Sequence, residues 1–245
     1  MNRIQIPPVV KNLLIINVLF FAATYVMQSK GIQLAFYLGA FYFDSPLFKI
    51  WQPITYMFMH GGFTHILFNM FALYMFGGIL ESRWGQKRFL NFYLITGLGA
   101  LALQMIVQSI EVYNITGSLI NHGAVTIDLA NGVASTNLNG ITQAQSNTLL
   151  EIYSGPMVGA SGAIFGLLVA FGMLYPNVEL YIMFIPIPVK AKYIIPVYIL
   201  IELFLGVARF QGDSVAHYAH LGGALLGFIL VKLWKDKNRY YDYYE

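Results

Sequence analysis

The chain has 245 residues, of which 58% are hydrophobic and only 10% charged, with a net charge of +3 and a mean hydropathy of +0.62. Soluble domains carry roughly 25% charged residues, so these figures exclude an ordinary soluble enzyme and point to a polytopic membrane protein embedded in a lipid bilayer. The small charge gives no reason to expect a nucleic-acid partner. The absence of cysteine excludes a disulfide, a thiolate nucleophile or a cysteine–zinc site.

A membrane-spanning helix needs about 20 mostly apolar residues. The first such run, 12–28, follows Arg3 and Lys11 and has no convincing small-x-small cleavage site, so it is expected to be a retained anchor. Residues 30–62 come next and are aromatic with few charges, which suits an external segment lying in the membrane interface. Spans are expected at 63–80 and 89–109. Residues 110–156 read as an external loop: polar, rich in Asn, Ser, Thr and Gly, and free of Lys and Arg. Asn114-Ile115-Thr116 fits a glycosylation sequon there, and His122 reads as a solvated loop histidine. Further spans are expected at 157–175, 193–210 and 217–234. Pro196 reads as a helix-start proline, either loosening the first turn of its span or innocuous there.

The expected fold is therefore all-α, a single domain over 1–245 with six transmembrane helices. Counting positive charges orients it. With the N-terminus inside, Arg3, Lys11, Arg83, Lys87, Arg88, Lys190, Lys192, Lys232, Lys235, Lys237 and Arg239 all fall inside, and only Lys30, Lys49 and Arg209 fall outside. Both termini are then expected inside. No internal repeat is evident, which weighs against a transporter built from inverted halves.

Polar groups within spans are default functional candidates, because each needs a partner or water. His60, His65 and Asn69 lie at the start of the second span, Ser161 near the start of the fourth, and His217 and His220 at the start of the sixth. In the N-in topology all of these starts lie at the outer face. His65 and Asn69, four apart, share a helix face. Gly162 and Gly166 in the fourth span, and Gly223 and Gly227 in the sixth, form small-xxx-small pairs that let backbones approach closely. Such an approach brings Ser161 near His220, although His217 shares the same face. A serine becomes a nucleophile when a neutral histidine can take its proton. His65, the Asn69 amide and the Ser161 backbone N–H could then hold an oxyanion. Glu202 in the fifth span is unexplained: it is either protonated or paired across helices, a direct pair with Arg209 seven residues on is disfavoured, and a structural role is favoured over a catalytic one.

Three stretches carry a resemblance to a known family: HGGFTHILFN at 60–69, GASG at 159–162 and AHYAHLGGALLG at 216–227. With ESRWG at 81–85, a match to a glutamate–arginine element after the second span, the chain resembles the rhomboid family of intramembrane serine proteases. The resemblance implies a Ser–His dyad, with Ser161 as nucleophile and His220 as general base. His220 is selected because the family's histidine is followed by glycines at plus three and plus seven. The resemblance also implies His65 and Asn69 as the oxyanion pair, Gly159 as a residue shaping the same pocket, and His217 as a supporting polar residue. Two positions depart from the family pattern. Phe165 stands where a tyrosine often stacks on the histidine, and Trp51-Gln52 where a Trp-Arg pair is common. No acidic residue is expected to orient His220, and Asp213 is assigned no role.

The function so implied is that of a serine endopeptidase, without metal or cofactor, cleaving transmembrane protein substrates near the outer face. The membrane is expected to be a bacterial cell membrane, and the fifth span the mobile wall. The alternatives are a catalytically inactive relative that binds membrane segments, and an ion or metal transporter using His60, His65, His217 and His220. The transporter is disfavoured because no HExxH helix is present and no acidic partner is evident at that depth.

Overall fold

The computed structural model describes residues 6–128, 131, 133–181, 187–208 and 215–234. Each of the six apolar runs contains a helix. These are α1 (Pro8–Gln28), α2 (Phe63–Trp84) and α3 (Gln86–Thr116), then, after a seventh helix α4 (Gln143–Ser154), α5 (Ser161–Leu174), α6 (Ala191–Ala208) and α7 (His217–Leu233). Among the described residues α1, α2, α3 and α6 are long and apolar enough to cross a membrane, while α5 and α7 are apolar but shorter, at 14 and 17 residues. The chain is an integral membrane protein.

α1 opens on Pro8, where the missing N–H costs nothing. The next two amides, Val9 and Val10, donate to the two carboxylate oxygens of Glu81 at 2.9 and 2.7 Å. Free amides at a helix start attract an anion, so buried Glu81 fastens the end of α2 to the beginning of α1. α2 carries a π turn at Leu73–Gly77 where it passes α1 and α5.

α7 lies against both α3 and α5, and these three helices form the centre of the bundle. A Cβ on Gly223 would collide with the Gly162 carbonyl, and one on Gly227 would stand 2.8 Å from the Gly166 Cα. The two expected glycine pairs thus face each other, and the α5 and α7 backbones touch. α6 is peripheral. It buries Ile195, Glu202 and Gly206, seven and four residues apart and so on one stripe, and exposes Val197, Leu200, Leu203, Phe204 and Val207. Pro196 is the sixth residue of α6, inside the helix and not at its start as expected; it removes the bond a residue there would give to the Lys192 carbonyl.

The region expected as a loop from 110 to 156 is largely structured. α3 continues to Thr116 and stops at Gly117, which takes a left-handed conformation at φ 76°. Strands β1 (Val125–Asp128) and β2 (Val133–Thr136) pair antiparallel, with Val125 opposite Thr136. α4 starts with a capping box: the Thr142 hydroxyl accepts from the Gln145 amide, and the Gln145 side chain accepts from the Thr142 amide. Its Leu149, Ile152 and Tyr153 pack with Val112, Val125 and Tyr42 into a small core of their own.

The 30–62 segment ties this layer to the bundle. Asp44 accepts from the Asn121 amide at 2.6 Å and the Tyr153 hydroxyl at 2.9 Å, and exposed His122 lies 3.2 Å away from it. Phe41, Tyr42, Tyr56 and Met57 are buried, so the segment penetrates the protein as well as presenting aromatic residues outward. Trp51 donates its indole N–H to the Tyr37 carbonyl at 2.9 Å. Gln52 is buried and bonds the Leu47 carbonyl and the Lys49 amide, so this departure from the family pattern serves its own turn.

Candidate active site

The starts of α2, α5 and α7 converge at one end of the bundle. The chain reaches Ser161 through residues 156–160, which are pinned by backbone bonds: Ala40 and Met157 exchange two, and the Gly159 amide donates to the Tyr56 carbonyl at 3.0 Å. Gly159 takes φ 132°, a region closed to most side chains. A Cβ there would stand 2.8 Å from His65 Nε2 and 3.4 Å from Ser161 Oγ. Glycine therefore keeps open a space bordered by both groups.

Ser161 is the first residue of α5, where backbone amides have no upstream carbonyl in the helix to bond. Its Oγ lies 2.8 Å from Nε2 of His220, one turn into α7. Phe165, one turn along α5, stacks on the His220 ring with centroids 4.3 Å apart and planes within 10°. The expected stacking is present without the tyrosine hydroxyl, and Tyr198 of α6 also packs against Phe165, tilted, with centroids 5.0 Å apart.

His65 borders the open space beside Gly159, and His60 packs edge-on against it at 5.1 Å. His60 is buried, and burial, with His65 alongside, pushes it down to about 4 from an ordinary 6.5. Asn69 is one turn beyond His65 on the same face of α2. Its amide nitrogen is buried and donates to no group among the described residues. Ser161, His65, Gly159, Phe165, His217 and His220 are thus in one constellation, with Asn69 beneath His65.

Glu202, unexplained in the sequence, has its partners across helices. One of its carboxylate oxygens lies 2.8 Å from His220 Nδ1 and 2.6 Å from His217 Nδ1, and all three side chains are buried. An acidic residue does lie against His220, contrary to expectation, and an acidic group is present at the depth of the histidines. Depth would have revealed it: Glu202 is six residues from the end of α6 and His220 three from the start of α7. Consecutive antiparallel helices bring those positions to similar levels. Arg209 and Asp213, considered above as partners, lie outside the described residues.

Glu202, His217 and His220 offer ligand atoms within 4.8 Å of one another, the spacing of a potential metal site. The carboxylate oxygen is 2.6 and 2.8 Å from the two nitrogens. Tetrahedral ligands at zinc-like bond lengths stand about 3.3 Å apart, so the oxygen and the two nitrogens stand here at hydrogen-bond spacing, closer than ligands around such an ion.

A model of the Rhomboid domain matches residues 47–236. The chain is 26% identical over 211 residues to an uncharacterized mitochondrial rhomboid protein of Schizosaccharomyces pombe, covering 78% of this chain and 53% of that one. It is 29% identical over 181 residues to RHOMBOID-like protein 5 of Arabidopsis thaliana, covering 74% and 42%. It is 26% identical over 135 residues to the rhomboid protease GlpG of Haemophilus influenzae, covering 50% and 69%. The chain spans about half or less of the length of the first two. Mitochondrial and plant relatives stand beside bacterial ones, so a bacterial cell membrane is not singled out as the compartment.

Proposed function

The chain belongs to the rhomboid family, and from that premise and the pocket geometry we propose that it is an intramembrane serine endopeptidase acting on transmembrane segments of other proteins. The observation that carries the reading is the 2.8 Å approach of Ser161 Oγ to His220 Nε2, beside a space bordered by His65. Ser161 attacks the scissile carbonyl while His220 accepts its proton. The developing oxyanion is held by the Ser161 amide at the α5 start, His65 and the Asn69 side-chain amide, donors fixed before the reaction begins. His220 returns the proton to the leaving amine, then activates the water that hydrolyses the acyl-enzyme. The substrate must locally unwind, because a helical peptide bond is shielded by its own hydrogen bonds. Small and helix-breaking residues at the cleavage site favour this.

The six helices are read as six spans with both termini on the charge-rich inner side. Ser161 then lies below the outer surface, where water can enter from outside. The test is labelling by a fluorophosphonate probe in detergent and in liposomes. Wild type labels, whereas Ser161→Ala and His220→Ala do not. A folded wild-type protein without Ser161-dependent labelling would sink the enzyme reading and leave a relative that binds membrane segments.

A further inference from the structure

Glu202 and His217 sit behind the proposed dyad and have no part in it so far. Resting on the protease reading, we propose that Glu202 is a positioning residue for His220, so that Ser161, His220 and Glu202 act as a three-membered relay with His217 as the clamp that holds the carboxylate in place. An ionised carboxylate can only accept hydrogen bonds. The single Glu202 oxygen facing both rings therefore takes an N–H from each, at 2.6 Å from His217 and 2.8 Å from His220.

The consequence for His220 is a fixed tautomer. With the proton on Nδ1, Nε2 carries the lone pair and faces the Ser161 hydroxyl at 2.8 Å. In the other tautomer Nε2–H points at the serine and cannot take its proton. Without an acceptor behind the ring, nothing in the 4.3 Å stack on Phe165 chooses between the two, because stacking is blind to which nitrogen is protonated. During attack the proton moves from Ser161 Oγ to Nε2 and the serine oxygen forms the new bond to carbon. The resulting imidazolium then faces a carboxylate, the logic of a serine–histidine–acid arrangement built on an unrelated scaffold.

His217 explains why the carboxylate can serve this purpose in an apolar setting. A buried carboxylate needs its lone pairs occupied, and a second ring from one turn earlier on α7 supplies a further donor. Glu202 comes from α6, on its one buried stripe between Ile195 and Gly206. Its alignment does not depend on α7 alone.

Three measurements on the full chain in detergent test this. First, Glu202→Gln lowers kcat by roughly 10²-fold, within the range of lost acid–base assistance, while KM and the thermal midpoint change little. Second, His217→Asn leaves Glu202 on His220 and loses much less of kcat. Third, nitrogen-15 NMR of wild type with labelled histidine shows His220 as the Nδ1–H tautomer with a strongly deshielded Nδ1 proton. An active wild type whose His220 is protonated on Nε2 overturns the inference whether or not the variants fold. So does a folded Glu202→Gln variant with unchanged kcat. Loss of Ser161-dependent labelling in the wild type itself would instead overturn the protease reading on which this rests.

Discussion

Gly223 of α7 faces the carbonyl of Gly162 in α5 with no room for a Cβ between them. That contact sets the distance between the helices that carry Ser161 and His220. Gly223→Ala must push α7 away from α5, at a cost of about 1–3 kcal/mol for overpacking. The expected outcome is a lowered thermal midpoint together with slower probe labelling at Ser161. Leu225→Ala, on the exposed face of the same helix, should change neither.

Among the described residues Asn69 keeps a buried amide nitrogen without an acceptor, a cost of about 1–3 kcal/mol in a resting protein. An oxyanion would satisfy it only during reaction. Asn69→Ala should therefore lower kcat by about 10²-fold, the scale of one lost oxyanion donor, with KM little changed. Removing the orphan group should leave stability unchanged or slightly raised. A kcat equal to wild type in the folded variant would take Asn69 out of that role.

His60 lies just before α2, buried and held neutral in the folded chain. Its value is about 4 folded against 6.5 unfolded, so between those limits the unfolded chain binds a proton that the folded one refuses. This contribution to stability is whole above about pH 6.5 and is lost as the pH falls toward 4. Thermal midpoints measured from pH 7 to 4.5 should fall in wild type and fall less steeply in His60→Phe. Parallel curves would show that His60 does not set the slope.

The lack of cysteine makes the topology directly testable, since a single introduced thiol has no background. With both termini inside, a cysteine at Thr126 in the hairpin should react with an impermeant maleimide from outside. One at Lys87, at the opposite end of α3, should react only after permeabilisation. The reverse pattern would invert the proposed orientation, and reaction of both from one side would end the six-span reading.

Helices of the bundle were legible in the letters because runs of apolar residues near membrane length leave few other solutions. The glycine pairs were legible for a related reason: with no side chain at 162, 166, 223 and 227, close approach is what those positions are suited to. The layer over residues 117–154 was not, because its core is only a few residues deep and its helix is mostly polar outside. Its one clear signal, Thr142 with Gln145 three later, is a capping box and was passed over. The partners of Glu202 were not legible for a different reason. Pairing across helices was open in the letters, but nothing in the α6 sequence names the partner helix, and only the fold puts His217 and His220 against the carboxylate.

The carboxylate behind His220 is delivered by α6, whose outer face is almost wholly exposed and whose buried stripe is narrow. The base is thus assembled from two helices, one central and one at the rim. Any tilt of the rim helix away from the bundle withdraws the acid from the imidazole while Ser161 and His220 stay where they are. On the proposed role of Glu202, the seating of α6 would then act as a dimmer on the hydroxyl's reactivity.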